Sequence, residues 1–173
     1  MTVSANSITG GSADCPPVRV ARRIEAAADV IFRLLADPSR HTELDGSGML
    51  RGALTDSVVT GVGDVFVLKM YFDVLGGDYQ MANDVLEFEP DRRITWQPRR
   101  HDIAEESWGH RWGFELVPDG PDATIVTEVF DGSRWPEHER PNIDDGRVWI
   151  EAMTETLRRL DEACTGRAAP AAS

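Results

Sequence analysis

The sequence predicts an α+β domain in which a curved antiparallel sheet of about seven strands wraps around a long C-terminal helix, with two short helices after strand 1. Apolar residues between 142 and 164 recur at alternating steps of three and four, which is the period of one helix face. From Met49 to Asp131 this period gives way to strand-like alternation, and short joints favour antiparallel pairing of neighbours. The long helix must bury its apolar stripe, and only such a sheet offers a large enough surface.

Length and charge limit the possible functions. The 173 residues suit one domain, predicted over 17–164 between flexible tails at 1–16 and 165–173. Asp and Glu number 30 against 18 Lys and Arg, so the net charge of -12 argues against a general binder of nucleic acids or anionic membranes. The sequence has neither a membrane-span pattern nor a signal-peptide pattern, and we expect Cys15 and Cys164 to be free thiols in a cytoplasmic protein.

Local patterns predict each element in turn. Residues 18–24 alternate apolar and polar, as a half-buried strand does, and 26–36 show helical spacing. Pro38 ends this helix and begins a second one at 38–44. Six strands follow, separated by joints rich in Gly, Pro and Asp, at 49–57, 64–73, 78–89, 93–99, 107–117 and 123–131. The last helix presents one apolar stripe, formed by Gly146, Ile150, Met153, Leu157, Leu160 and Cys164.

Several segments within 18–163 form a recognisable succession: AAADVIF at 26–32, LADPSRH at 35–41, LDGS at 44–47, GVGD at 61–64, LEFEPDR at 86–92, WGFELVP at 112–118 and ATIVTEVFD at 123–131. In this order the chain resembles the START-like or SRPBCC superfamily, and in particular its actinobacterial polyketide cyclase/dehydrase branch. Leu44 departs from the pattern, since the family usually has an aromatic residue there. The resemblance implies the helix-grip fold and an internal cavity. It does not select a chemistry, because lipid carriers, natural-product binders and aromatic-ring cyclases share this fold.

The alternation of side chains indicates which residues face the concave side of the sheet. In 64–73 the apolar face lies opposite Lys69, and in 107–117 one face collects the aromatic residues. For 78–89 the direction of the face that carries Tyr79, Met81, Asn83, Val85 and Glu87 is open. Large aromatic residues and methionines suit an apolar pocket, although they could also simply fill the core. We expect a pocket, because a sheet wrapped around one helix encloses more volume than that helix fills. The predicted ligand-binding residues are Phe66, Met70, Phe72, Trp96, Trp108, Trp112, Phe114, Trp135, Trp149 and Met153.

His110 and Glu128 are the candidate catalytic residues. His110 lies on an otherwise apolar face between two tryptophans, and imidazole can donate, accept or shuttle a proton near neutral pH. Glu128 is assigned to the adjacent strand and faces the same way. The two could form an acid–base pair, or His110 could be a core histidine and Glu128 a buried charge neutralised by its neighbour.

Other motifs carry little weight. His138 stands between Glu137 and Glu139, but this spacing matches no closed metal-ligand set, so no metal is predicted. The pair Gly61 and Gly63 lacks the third glycine and the helix of a dinucleotide site. No cofactor is predicted.

The leading hypothesis is binding of a small, largely apolar molecule, lipid-, aromatic- or polyketide-like, between the sheet and the C-terminal helix. The alternative is a cyclase- or dehydratase-type enzyme that uses His110 as acid or base in the same cavity. The third is a protein-interaction module, which a fully packed interior would favour. The expected partner is thus a small apolar molecule, without nucleic acid or a membrane span, and the oligomeric state is open, with a homodimer among the options.

Overall fold

The structure, a computed structural model, describes residues 15–102 and 107–167. The helices in this part are α1 (Ala28–Leu35), α2 (His41–Leu44) and α3 (Ile150–Thr165), and 3₁₀ turns occupy Pro38–Arg40, Asp73–Leu75 and Arg140–Trp149. The strands are β1 (Val18–Ile24), β2 (Leu50–Ala53), β3 (Val65–Phe72), β4 (Gly77–Glu89), β5 (Arg93–Arg100), β6 (Arg111–Pro118) and β7 (Thr124–Asp131).

The strands form one antiparallel sheet in the order β1-β7-β6-β5-β4-β3-β2. Strands β2 to β7 pair with their neighbours in the chain, as their short joints predict, and the α+β architecture is confirmed. The sheet is completed by pairing of the first strand with the last, from Val18 opposite Phe130 to Ile24 opposite Thr124. This non-local pairing places the N-terminal strand beside the strand that carries Glu128.

Helix α3 packs on the concave face of the sheet. It buries Met153, Leu157 and Leu160, three positions of the predicted stripe. Each side chain of this size stabilises the fold by roughly 1.5–3 kcal/mol when it is fully removed from water. Helix α1 adds Ile31, Phe32 and Leu35 to the same core.

The regular helix is shorter than the pattern over 142–164 predicts. Asp144, Asp145 and Gly146 have positive φ angles of 47°, 50° and 92°, so the chain breaks its helical path there and α3 begins only at Ile150. The break allows close approach, because a Cβ atom on Gly146 would lie 2.5 Å from the ring of Phe130. Ile150 is 42% exposed, so its predicted place in the buried stripe is wrong.

Two strands also differ from the predictions. Residues 107–110 lie outside β6, whose pairing with β7 begins at Arg111 opposite Asp131, because Gly109 has a left-handed φ of 76°. In β4 the register shifts between Val85 and Glu87. This irregularity turns Glu87 outward, away from the buried face of Tyr79, Met81, Asn83 and Val85, because an extra residue inverts the alternation.

The predicted flexible tails, 1–16 and 165–173, lie almost wholly outside the described residues. Where the structure describes them, Cys15 is buried and Thr165 ends α3. Cys15 and Cys164 are free, and burial raises the pKa of the Cys164 thiol to about 11. Within the described residues, none of the helices has the length and apolar character needed to cross a membrane.

Candidate functional site

A cavity of about 690 Å³ lies between the concave face of the sheet, α3 and the 3₁₀ segment that precedes it. Its wall is largely apolar, built from strands β3 to β7, the α2 region and the loop around Trp135. Pockets for small organic ligands fall in this size range and combine apolar walls with a few polar groups. The interior is therefore not fully packed, which was the feature that would have favoured a protein-interaction module.

Most of the predicted ligand-binding residues line this cavity: Met70, Phe72, Trp96, Trp108, Trp112, Phe114, Trp135, Trp149 and Met153. Phe66 is on the predicted face of β3 but lies behind the wall. It packs edge-on against Trp96, with ring centroids 5.4 Å apart, and belongs to the core. Side-chain alternation along β3 correctly predicts the face on which Phe66 lies. It does not indicate whether a residue on that face reaches the cavity or stays in the core behind it.

One end of the cavity is closed by a cluster of aromatic rings. Trp108 stacks on Trp135 with centroids 5.5 Å apart and an angle of 12° between the rings. The ring centroid of Trp112 lies 4.8 Å from that of Phe130 and 6.0 Å from that of Trp149. These rings come from β6, from the segment before it that carries Trp108, from β7 and from the two ends of the connection between β7 and α3. The connection thus contributes the outer part of the wall.

His41 also lines the cavity, and sequence reasoning missed it as a wall residue. Its Nε2–H donates to the backbone oxygen of Leu35 at 2.8 Å, and its ring stacks on Trp96 at 5.7 Å. Burial lowers the pKa of His41, which keeps the imidazole neutral. This histidine is satisfied by its neighbours, so its role is structural.

His110 is 6% exposed and lines the cavity within the aromatic cluster, 4.9 Å from the ring of Trp135. Its Nδ1 atom is buried and has no hydrogen-bond partner among the described residues. Burial strips water from the imidazolium and lowers the pKa of His110 to about 4. At neutral pH the ring is therefore uncharged and can both donate and accept a hydrogen bond.

Glu128 is also 6% exposed and lines the same cavity. It occupies an interior strand, opposite Phe114 of β6 on one side and Val20 of β1 on the other. Its Oε2 atom is buried without a partner in the described part of the chain. Burial, and secondarily the negative charge of Asp45, raises the pKa of Glu128 well above its ordinary value. Burial therefore favours the protonated, uncharged form of this carboxyl group.

No hydrogen bond joins His110 to Glu128 in the described residues. Glu128 pairs with Phe114, which is four residues beyond His110, a separation of roughly 13 Å in extended chain. Between them lie Trp112 and Phe130. The two groups thus face one cavity at different depths, and they do not form the direct acid–base pair that the sequence left open.

Further polar residues of the wall were not singled out by sequence reasoning. Asn83 donates to the backbone oxygens of Phe66 and Met81, both at 3.3 Å. Tyr79 lines the wall, and burial raises its pKa to about 12, so its hydroxyl stays protonated. Both residues lie on the face of β4 whose direction the sequence left open. Neither the composition of β4 nor its alternation indicates which face points toward the concave side of the sheet.

The cavity wall contains no Lys or Arg among the described residues. Asp45 lies in the wall, and its carboxylate already accepts from Ser47 N at 2.9 Å, Ser47 Oγ at 2.6 Å and Leu50 N at 3.0 Å. Glu139 is the other acidic wall residue besides Glu128. His138 is exposed, 3.5 Å from Glu139, and no group of three metal-ligating side chains occurs in the described part of the chain.

Comparison with known proteins gives two kinds of likeness. No family model matches the sequence. Over 120 residues, 68% of this chain, the sequence is 38% identical to the uncharacterized protein Rv0088 of Mycobacterium tuberculosis. The match covers 49% of that protein, so this chain spans about half the length of the curated relatives it matches.

Solved structures resemble the whole described fold. The solution structure of a protein from Arthrobacter aurescens matches with a TM-score of 0.68 over 90% of this chain and 89% of that chain, at 12% identity. The Aha1 dimer from Colwellia psychrerythraea matches with a TM-score of 0.56 over 86% of this chain and 96% of that chain, at 19% identity. The fold is helix-grip-like. At these sequence identities the likeness shows the helix-grip-like fold alone. The cavity between the sheet and α3 must therefore be interpreted from its own residues.

Proposed function

We propose that the chain binds a small, largely apolar molecule in the cavity between the sheet and α3. The observation that carries this proposal is the cavity itself, about 690 Å³ with a wall of aromatic and methionine side chains. Filling such a space with well-packed protein would stabilise the fold, because empty apolar volume costs stability. Retaining it is expected of a protein that uses the space for a ligand.

The ligand class in this proposal is lipid-, aromatic- or polyketide-like. Tryptophan rings in the wall favour flat or extended apolar molecules, which can pack against several ring faces at once. Membership of the START-like superfamily and of its polyketide cyclase/dehydrase branch is part of the same proposal. It is supported by the segments at 26–41 and 112–131 and by the helix-grip-like fold.

A second candidate is an enzyme that moves a proton in the same cavity. It is favoured by two buried titratable side chains, His110 and Glu128, because Nδ1 of the first and Oε2 of the second have no hydrogen-bond partner among the described residues. An imidazole with a pKa of about 4 is a weak base at neutral pH, however, so His110 is better suited to orienting a ligand than to removing a proton from it. Cyclase or dehydratase turnover that is lost in His110→Phe while binding persists would select the enzyme.

The binding test uses N-phenyl-1-naphthylamine, an uncharged fluorescent probe, titrated into the purified protein. We expect saturable fluorescence enhancement with one site per chain. Ala152→Phe adds a ring from the cavity wall of α3 and should abolish the enhancement. Glu151→Phe, which introduces the same ring at the adjacent exposed position, should leave it intact. Equal binding by both variants, or none by the parent protein, would contradict the proposal.

A further inference from the structure

We propose that the cavity selects uncharged ligands that present a hydrogen-bond acceptor, such as a ketone or ester oxygen, to the carboxylic acid of Glu128. This inference rests on the proposed binding function and adds the polarity and orientation of the ligand. It follows from where Glu128 lies, from what surrounds it and from which charges the wall lacks.

Within the described part of the chain, Glu128 has no partner that explains its burial. A carboxyl group removed from water in an interior strand normally forms an ion pair or several hydrogen bonds, because leaving it unpaired is costly. Among the described residues Glu128 makes neither, and its Oε2 atom is buried without a partner. Its cross-strand neighbours are Phe114 and Val20, which offer no polar group from their side chains. A ligand in the cavity would supply the missing partner.

The surroundings of this carboxyl group favour its neutral form. Burial and the nearby negative charge of Asp45 both raise the pKa of Glu128. A protonated carboxyl donates one hydrogen bond, so its complement on the ligand is an acceptor. An incoming carboxylate would instead bring a second negative charge close to Asp45.

The remaining wall offers no counter-charge for an anion. It contains no Lys or Arg among the described residues, so an acidic ligand would lose its hydration without an ion pair. A cation is also poorly served, because the carboxylate of Asp45 is already occupied by the backbone N–H groups of Ser47 and Leu50 and by the Ser47 hydroxyl. The side chain of Glu139, the further acidic residue of the wall, is 40% exposed and therefore hydrated. The neutral His110 can accept or donate toward a second polar group nearer the aromatic end of the cavity.

The test compares naphthalene derivatives of similar size as competitors of N-phenyl-1-naphthylamine: 2-acetylnaphthalene, 2-ethylnaphthalene, 2-naphthoate and 2-(aminomethyl)naphthalene. The ketone offers an acceptor, the ethyl compound removes it, and the last two carry opposite charges at neutral pH. In the parent protein we expect 2-naphthoate to bind at least about a hundredfold more weakly than the ketone, and the amine more weakly than the ketone as well.

Two variants isolate Glu128. In Glu128→Leu, an apolar residue of similar size, the ratio of the ketone and hydrocarbon dissociation constants should shift about tenfold in favour of the hydrocarbon. Glu128→Gln keeps an N–H donor and should preserve the ratio within about threefold. Far-ultraviolet circular dichroism checks that both variants fold, and the comparison of four ligands on the parent protein needs no variant.

The outcomes distinguish failure of this inference from failure of the proposed binding function. An unchanged ratio in Glu128→Leu would overturn this inference while leaving the binding function standing. So would 2-naphthoate or the amine binding as tightly as the ketone. Failure of the hydrocarbon, the ketone and N-phenyl-1-naphthylamine to bind the parent protein would overturn the proposed function itself, and this inference with it.

Discussion

Trp135 stacks on Trp108 with ring centroids 5.5 Å apart and an angle of 12° between the rings. The stack joins the connection that follows β7 to the segment before β6 and covers His110, whose ring is 4.9 Å from Trp135. The backbone around Trp135 is held by Arg140, which donates to the carbonyl oxygens of Trp135 and Ser133 at 3.1 and 2.6 Å. The indole is therefore a fixed part of the cavity wall.

Trp135→Ala should weaken the binding of N-phenyl-1-naphthylamine by about 1–2 kcal/mol, a factor of roughly 5–30, mainly through faster dissociation. The reason is that the outer wall loses its ring while the backbone bonds of Arg140 persist. Stopped-flow fluorescence measures the dissociation rate. Trp135→Phe, which keeps an aromatic ring, serves as the control and should lose less affinity. Unchanged dissociation in Trp135→Ala would place the ligand elsewhere.

Gly146→Ala tests the break before α3. Its φ of 92° is unfavourable for alanine, and the new Cβ atom would lie 2.5 Å from the Phe130 ring, so this ring of the cavity wall must shift. We expect a loss of at least about 2 kcal/mol in the free energy of unfolding, together with weaker probe binding. Urea titration measures the stability.

Gly166→Ala is the matched control for this change. Gly166 also has a positive φ, 65°, but a Cβ atom there would meet nothing within 4 Å. It should therefore cost only about 1 kcal/mol, from backbone strain, and leave probe binding intact. Equal losses in the two variants would show that contact with Phe130 is unimportant.

His110 makes the free energy of unfolding depend on pH below about 6.5. Its pKa is 6.5 in the unfolded chain and about 4 in the folded protein, so the unfolded chain takes up the proton first as pH falls. Stability from this group is complete above pH 6.5 and decreases by up to about 3 kcal/mol as pH falls to 4. His41 acts in the same direction.

His110→Phe should remove the His110 part of this loss and leave that of His41. At pH 7 the variant should fold with similar or higher stability, since it removes a buried nitrogen that has no partner among residues 15–102 and 107–167. Chemical denaturation at pH 7 and pH 5 measures both effects, and probe titration measures affinity separately. Should stability, its pH dependence and affinity all remain unchanged, His110 is neither buried as described nor in contact with the ligand.

Glu128 gives the opposite dependence. Its raised folded-state pKa means that the folded protein retains a proton that the unfolded chain releases, so stability decreases as pH rises above about 4.5, by at most about 1.4 kcal/mol per pH unit. Glu128→Gln cannot lose this proton and should be more stable than the parent protein at pH 7. The difference should shrink toward pH 4.5. A difference that stays constant with pH would show that Glu128 is ionised in the folded state.

Local patterns in the sequence predicted the strands, their sequential neighbours and several aromatic residues of the cavity wall, because alternation along a strand assigns side chains such as Trp112 and Phe114 to one face. Features that depend on the backbone angles of single residues, or on pairing between strands far apart in the chain, could not be predicted from these local patterns. The helical spacing of apolar residues continues through Asp144 and Gly146, although these residues adopt left-handed angles. The register shift between Val85 and Glu87 in β4 was likewise not predicted from the sequence.

Depth and partnership were also inaccessible from local patterns. Phe66 and Met70 alternate identically, but only Met70 reaches the cavity. His110 and Glu128 face the same way on neighbouring segments, but the register places them about four residues apart along the sheet. The role of His41 depends on Leu35 and Trp96, which no spacing rule connects to it.

Native mass spectrometry of the protein purified from its own host, before and after denaturation, tests the central claim most directly. We expect a mass above that of the 173-residue chain in the native spectrum, and release on denaturation of one small, uncharged, oxygen-containing apolar molecule. Ala152→Phe purified in the same way should lack this added mass. A native mass equal to the chain mass, with no molecule released on denaturation, would contradict the account of the cavity as a ligand site.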